Sequence, residues 1–237
     1  KSGFYHVFIR GVNKQNIFYD DEDHKLFLKI LEKYSLKYEI FIHAYCLMEN
    51  HVHLEIEDKH HNISIFMQSI CSVYARMFNR KYDRIGHLFQ ERYASEVIED
   101  KSYFITVFRY IMQNPEKANV CDMNAFKWSS FHCYRYYSSF VHKELLLEYF
   151  GSLKNLYENL KKESYDRCLE IELRYSEREA NFIQQIKEIL QTDNPILKPD
   201  LPVKIIKEKM KILKASGLSI RTISRVTGIN KHIVASA

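Results

Sequence analysis

The chain has 237 residues, of which 46% are hydrophobic and 14% aromatic, and its formal net charge at pH 7 is +5. This composition excludes an intrinsically disordered protein, and the length allows one sizeable core with a smaller appended unit. No apolar run approaches the roughly 20 residues that a membrane-spanning helix needs, and no secretory leader is visible, so we expect no membrane partner. The five scattered cysteines include no Cys-x-x-Cys pair, which argues against a zinc ribbon and favours a reducing, cytoplasmic location.

The first 120 residues alternate between strand-like and helix-like periodicity. Residues 4–10 predict a strand, and residues 20–38 predict a helix whose acidic first turn suits the positive end of the helix dipole. Two further strands are predicted at 39–48 and 51–57. Because only two residues separate them, they must form an antiparallel hairpin.

Three more elements follow along the chain. Residues 62–82 predict a helix capped by Asn62 or Ser64, and residues 87–97 predict a fourth strand. Residues 101–114 predict a third helix, which Pro115 stops. The order βαββαβ followed by a helix is typical of an α+β fold, a ferredoxin-like antiparallel sheet with helices on one face.

Beyond this point the sequence becomes tyrosine-rich and then charged. Helices are predicted at 154–160 and 177–190, and residues 192–202, which hold three of the four prolines, predict a linker. Residues 195–237 contain nine Lys and Arg against two Asp and Glu, which leaves a net charge of +7. Such a segment favours binding to a phosphate backbone, although a solvated lysine-rich helix would have the same composition.

The same segment has the layout of a helix-turn-helix. A basic amphipathic helix is predicted at 203–213, and residues 218–234 predict two short helices joined at Gly228. We expect Ile220, Ile223 and Val226 to face inward. Phosphate or base contacts would then come from Arg221, Arg225 and Lys231. The alternative is a small helical hairpin that contacts protein.

Two histidines stand one residue apart in the strand predicted at 51–57. His51 and His53 would project from the same face, as a bidentate grip on a metal ion, or they would be ordinary hydrogen-bonded sheet residues. Two ligands are too few for a closed site. Tyr110 and Asn114 share a face of the third helix and could supply a nucleophile and a ligand oxygen, but spacing alone does not select one of the 17 tyrosines.

Four blocks of sequence resemble the single-tyrosine HUH transposases, and within them the REP-associated tyrosine transposases. The blocks occur in order and at compatible spacing over roughly residues 4–137, which is more specific than any one motif. They cover residues 5–23, 43–54, 86–93 and 109–118.

The resemblance implies a catalytic site and a division of the chain. In such enzymes the histidine pair binds Mg²⁺ or Mn²⁺, so His51, His53 and Asn114 would be the metal ligands and Tyr110 the nucleophile. The substrate would be single-stranded DNA beside a hairpin, cleaved through a 5′-phosphotyrosine by a monomer or homodimer. The HUH domain would span residues 1–137, followed by a helical extension at 138–194 and the basic helix-turn-helix region at 195–237.

Several polar side chains are candidates for DNA contacts. Those at the first turn have a turn-forming role as their alternative, and those of the second group surround aromatic residues that could stack on bases. The candidates are Arg10, Asn13 and Lys14, and then Arg76, Arg80, Lys81, Arg84 and Arg92. Glu55 and Glu57 share the strand face of the histidines and are expected to be solvated, with metal ligation or hydrogen bonding to the ligands as the alternatives.

Three other functions remain open. The protein could be a HUH nuclease that nicks DNA without completing transposition. It could be a DNA-binding regulator with a decayed nuclease site. It could also be a zinc hydrolase that uses the two histidines on small phosphoesters and forms no covalent DNA adduct.

Overall fold

The chain forms two compact units, Lys1–Leu169 and Glu170–Ala237. A computed structural model describes residues 2–134, 140–162, 168, 182–192, 196 and 202–237, without the side chain of Arg221. The boundaries predicted near 137 and 194 lie outside these residues, so the division into three parts stays a prediction. In the described part of the chain, no helix is both long and apolar enough to cross a membrane. All five cysteines are free thiols.

The first unit is built on a four-stranded antiparallel sheet. Its strands are β1 (Phe4–Arg10), β2 (Ile40–Met48), β3 (His51–Asp58) and β4 (Ala94–Ile98). They lie in the order β2-β3-β1-β4, so that β1 and β3 are the central pair. This order is the one expected of a ferredoxin-like βαββαβ unit, and the predicted α+β fold class is confirmed.

Helices pack on both faces of the sheet. The first unit contains α1 (Asp21–Tyr38), α2 (Ile63–Lys81), α3 (Lys101–Met112), α4 (Asn114–Lys117), α5 (Glu144–Phe150) and α6 (Leu153–Leu160). One face of β1 and β3 carries a row of buried apolar side chains, and there α1 packs on β2 and on α2. These side chains are Val7, Ile9, Val52, Leu54 and Ile56.

The opposite face is covered by α3, which packs against β2 and β3. The expectation of helices on one face alone was therefore wrong. The physical reason is that this second face also carries aromatic and uncharged polar groups, such as Phe8 and His53, which are buried under α3. The functional residues described below lie in this layer.

The predicted fourth strand differs from the observed one. β4 begins at Ala94, and the chain before it is irregular, apart from a single bridge between Gly11 and Phe89. Leu88 and Phe89 still pack into the core, so the apolar pattern reflected burial rather than strand geometry. Backbone hydrogen bonds instead join this segment to the end of β1 and the turn after it. Leu88 accepts from the N–H of Val12, and the N–H of Gln90 donates to the carbonyl oxygen of Arg10.

The start of α2 is capped by an unexpected residue. Asn62 occupies the capping position, but its side chain makes no capping bond and donates instead to the carbonyl oxygen of Tyr38. The carboxylate of Asp58, at the end of β3, accepts from the backbone N–H groups of His60, Asn62 and Ile63. A single side chain thus joins the central strand to the helix behind it.

The described residues of the second unit form four short helices. Residues 182–190 form α7, and the others are α8 (Val203–Ala215), α9 (Ile220–Thr227) and α10 (Lys231–Ser236). Their core includes Met210 and Ile223, and Gly228 makes the turn before α10 in the left-handed conformation, φ 74°. Ile220 was expected to face inward but is 40% exposed. DNA binding by this unit stays a prediction.

The Asp58 cap can be tested by thermodynamics. Asp58→Ala removes the acceptor of three backbone N–H groups and should lower the free energy of unfolding by about 2–4 kcal/mol. Asp58→Asn keeps one acceptor oxygen and should lose less. Urea denaturation of the three proteins measures the difference, and equal midpoints for wild type and Asp58→Ala would contradict the assignment.

Candidate active site

The two histidines of β3 stand side by side beneath α3. His51 and His53 project to the same face, and their ring centroids are 5.0 Å apart. Phe8, directly opposite His53 on β1, contacts both rings, with centroid distances of 5.4 Å to His51 and 4.7 Å to His53. The pairing of β1 with β3 therefore packs both imidazoles against the ring of Phe8.

Tyr110 and Asn114 approach the histidines from the opposite side. The ring of Tyr110 on α3 lies 5.4 Å from the ring of His53, edge to face, and Oδ1 of Asn114 lies 3.2 Å from Nε2 of His51. The helix breaks briefly at Gln113, whose side chain donates to the carbonyl oxygens of Leu160 and Lys162 and so fixes the junction. The structure brings together all four predicted side chains within one chain.

The protonation of His51 follows from its neighbours. The Nδ2 group of Asn50 donates to the carbonyl oxygen of Lys14, so its Oδ1 faces His51 and accepts from Nδ1 at 2.6 Å. In the neutral imidazole, Nε2 then carries a lone pair, and this lone pair points at Asn114 Oδ1. Two acceptors 3.2 Å apart repel each other unless a proton or a cation lies between them.

His53 is paired with a histidine that the sequence analysis missed. Its Nδ1 lies 3.0 Å from Nε2 of His6 on β1, and both side chains are buried. Burial lowers the pKa of His6 to about 3. Burial and then the neighbouring His51, His6 and Arg10 lower the pKa of His53 well below its usual value. Both imidazoles are therefore neutral at physiological pH, which is the form that binds metal ions.

The donor atoms available for a metal ion are two imidazole nitrogens and one amide oxygen. Among the described residues, no group of three or more His, Cys, Asp or Glu side chains could hold a metal ion. A site here would therefore use His51, His53 and Asn114 and leave positions open for water or substrate. The facing lone pairs of His51 and Asn114 fit a divalent cation, and neutral imidazoles favour Mn²⁺ over the harder Mg²⁺.

Glu55 departs most from expectation. It was expected to be solvated, but it is 0% exposed because α3 and the chain around Tyr134 cover this face. Neither of its carboxyl oxygens has a hydrogen-bond partner among the described residues. Burial raises its pKa well above the usual value and so favours the uncharged carboxyl group. Glu57 is only partly buried and lies 3.4 Å from Lys59.

Lys117 is a second residue that the sequence analysis missed. Its Nζ atom lies 4.8 Å from the centroid of the Tyr110 ring. The two residues are seven apart, a spacing that returns to the same face of a helix after two turns, so the sequence did contain the signal. The side chain is exposed and places a positive charge beside the buried phenol.

The DNA-contact candidates divide into three groups. Arg10 pairs with His51 across the strands, and the exposed Asn13 and Lys14 lie in the turn that holds Asn50. Three exposed cations lie on or after α2, namely Arg76, Arg80 and Arg92. The third group is engaged within the protein.

In this third group, Lys81 lies 2.7 Å from the carboxylates of both Asp20 and Asp23. Arg84 donates to Gln15 at 2.7 Å. Both cations are thus less suited to phosphate binding than their neighbours. In the second unit Arg225 and Lys231 are exposed, and the side chain of Arg221 lies outside the described residues.

Comparisons with known proteins find similarity to transposases in the N-terminal part of the chain. Residues 1–114 match the family model described as "Transposase IS200 like". A solved REP-associated tyrosine transposase bound to a REP hairpin is 16% identical; the match covers 56% of this chain and 78% of that one, with a TM-score of 0.48. A Deinococcus radiodurans R1 protein assigned as a transposase is 17% identical, with coverages of 50% and 91% and a TM-score of 0.36. A comparison with curated proteins finds no match. The matched residues 1–114 contain both histidines, Tyr110 and Asn114.

Proposed function

We propose that this protein is a metal-dependent single-stranded DNA endonuclease and strand transferase that acts at hairpin-associated sites through Tyr110. One observation carries the proposal. The lone pairs of His51 Nε2 and Asn114 Oδ1 face each other at 3.2 Å, beside the ring of Tyr110. Two ligand atoms converging next to a phenol suit transfer of a phosphoryl group to tyrosine.

The ligands are provided by His51, His53 and Asn114. A bound Mg²⁺ or Mn²⁺ ion would act as a Lewis acid toward an oxygen of the scissile phosphate. Asn50 holds the imidazole of His51 in place, so that this ligand is oriented before an ion arrives. The open positions of such a site would be filled by water and by the DNA.

The reaction consists of one exchange at phosphorus. The Tyr110 phenol loses its proton, its oxygen forms a bond to phosphorus, and the bond from phosphorus to the 3′-oxygen of the preceding nucleotide breaks. That oxygen takes up a proton and becomes a free 3′-hydroxyl, while the other strand end stays attached as a 5′-phosphotyrosine. Attack of a 3′-hydroxyl on this ester reverses the step, so strand transfer needs no nucleotide cofactor.

The positive charge of Lys117 supports the role of Tyr110. A tyrosine with an ordinary pKa of about 10 is a poor nucleophile at neutral pH, and a cation near the ring favours the phenolate. Because all four site residues and Lys117 come from one chain, the site does not need a residue from a partner. This arrangement is compatible with a monomer and with a homodimer.

Polar and charged side chains around the site would position the DNA. Arg10, Asn13 and Lys14 border the histidines and are suited to the phosphates next to the scissile bond. Arg76, Arg80 and Arg92 would extend this contact along the strand. For the C-terminal unit we propose binding to duplex DNA through α10 and its basic neighbours. Such binding would serve either the enzyme or a DNA-binding regulator.

The nucleophile is tested by substitution of Tyr110. With a 3′-labelled hairpin oligonucleotide and Mn²⁺, the wild-type protein should give a labelled band of protein size on a denaturing gel, and Tyr110→Phe should give none. Tyr103→Phe, on the same helix, is the control and should keep the adduct. An adduct with Tyr110→Phe would refute the assignment. Turnover of small phosphoesters without an adduct would favour the zinc hydrolase, and an adduct without strand joining would favour a nicking enzyme.

The charge of Lys117 predicts a change in pH dependence. Lys117→Met removes a positive charge near the phenol, which should weaken stabilisation of the phenolate and lower the cleavage rate at pH 7 by roughly fivefold, or about 1 kcal/mol. The rise of rate with pH should shift to more alkaline values. Lys127→Met is a matched control because Lys127 also lies over an aromatic ring, that of Trp128, away from the site. An unchanged pH profile for Lys117→Met would rule out this role.

The C-terminal unit is tested by its salt dependence. In the full chain, replacing Arg225 and Lys231 with Gln should weaken binding to duplex DNA and reduce the slope of log affinity against log salt by about 2, since each phosphate contact contributes about 0.9. Cleavage of a saturating hairpin oligonucleotide should be unchanged. The matched control replaces Lys25 and Lys154 with Gln. If both double variants bind duplex DNA equally, the unit has another function.

A further inference from the structure

Behind His53 lies a buried pair of polar side chains that the proposed reaction does not use. His6 on β1 and Glu55 on β3 are directly opposite each other in the antiparallel register. Both are 0% exposed. Among the described residues, neither Nδ1 of His6 nor either carboxyl oxygen of Glu55 has a hydrogen-bond partner. Buried polar groups without partners are unfavourable, so their presence at paired positions next to the site needs an explanation.

The contact between His6 and His53 limits where the hydrogens lie. The distance from His6 Nε2 to His53 Nδ1 is 3.0 Å, so one hydrogen lies between the two nitrogens. Only Nε2 of His53 is then left for a metal ion, and it can bind only if it carries a lone pair. The hydrogen must therefore belong to His53 Nδ1, and His6 Nε2 must accept it.

This arrangement leaves the hydrogen of His6 on Nδ1, where it needs an acceptor. Side chains at directly opposed positions of antiparallel strands have Cβ atoms roughly 4.5–5.5 Å apart, within reach of a glutamate. The carbonyl oxygen of a neutral carboxyl group can accept this hydrogen. Glu96 on β4 also pairs with His6, but its carboxylate accepts from the hydroxyl of Tyr103. Glu55 is the group whose oxygens are unused.

We propose that His6 is a positioning residue for the metal ligand His53, and that Glu55 completes a buried chain from His53 through His6 to a carboxyl group. The chain fixes the ring of His53 and the nitrogen that it offers, with Glu55 accepting from His6 through one water molecule. The inference rests on the proposed function, because it takes His53 to be a ligand. Groups behind a ligating histidine typically change metal affinity by roughly 10- to 100-fold.

The role of His6 is tested by Mn²⁺ binding to the full chain without DNA, followed by electron paramagnetic resonance. His6→Phe removes the acceptor and should weaken binding roughly 10- to 100-fold. His6→Gln restores an acceptor oxygen and should recover part of the affinity. His43→Phe is a matched control, because His43 is also a buried histidine packed against aromatic rings. It should alter stability and leave Mn²⁺ affinity unchanged.

The role of Glu55 is tested by two measurements that should move in opposite directions. Glu55→Leu removes an unpartnered buried carboxyl group, so it should leave the melting temperature unchanged or raise it. If Glu55 supports His6, the same variant should bind Mn²⁺ several-fold more weakly, and Glu55→Gln should bind nearly as well as wild type. A purely structural residue could not lower metal affinity while the fold becomes more stable.

The outcomes separate this inference from the proposed function. If wild-type protein binds Mn²⁺ no better than His51→Ala, the metal site itself fails. If wild type binds Mn²⁺, His51→Ala does not, and both His6→Phe and Glu55→Leu bind as wild type does, the buried chain is overturned and the metal site stands. If His6→Phe weakens binding and Glu55→Leu does not, Glu55 is not part of the chain, and the proposal as stated fails.

Discussion

The pairing of β1 with β3 is the constraint on which the site depends. It places Phe8 opposite His53, Arg10 opposite His51 and His6 opposite Glu55. In a sheet, a shift of one residue would move every side chain to the other face, so the buried apolar residues on one face fix which residues face α3 on the other. The buried apolar side chains thus fix the register, and the register decides which polar side chains lie under α3.

Burial under α3 determines the chemistry of this polar face. His6, His53 and Glu55 are buried, and burial shifts the pKa of each group toward its uncharged form. An ion that enters such an environment meets ligands that need not lose protons first. The side chain of Tyr110 is also buried, and the exposed cation Lys117 lies over its ring. The site therefore combines a buried interior of low dielectric constant with the positive charge of Lys117 at its exposed edge.

Much of this architecture was predictable from local sequence patterns. The two-residue period of a strand predicted that His51 and His53 project from the same face. The two-residue link between the second and third strands predicted the hairpin. The convergence of Tyr110 and Asn114 on the histidines needed the family resemblance, because helical spacing shows that they share a face but not which strand they meet.

The remaining features depend on contacts between distant parts of the chain. His6 becomes visible only when the β1–β3 register is known, and Glu55 looked solvated because its cover, α3, comes some 50 residues later. The cap from Asp58 was missed because it acts across a loop. Lys81 and Arg84 looked like free cations, and only the packed structure shows their partners on the segment after β1 and at the start of α1.

The turn after β1 has a mechanical consequence. Asn13 and Lys14 have positive φ values of 51° and 60°, and the carbonyl oxygen of Lys14 holds Asn50, which in turn holds His51. Under the proposed function, a phosphate group bound at this turn would act on His51, the proposed metal ligand, through two hydrogen bonds. DNA affinity and ion affinity would then be thermodynamically coupled. Binding of either ligand would change the affinity for the other by the same factor.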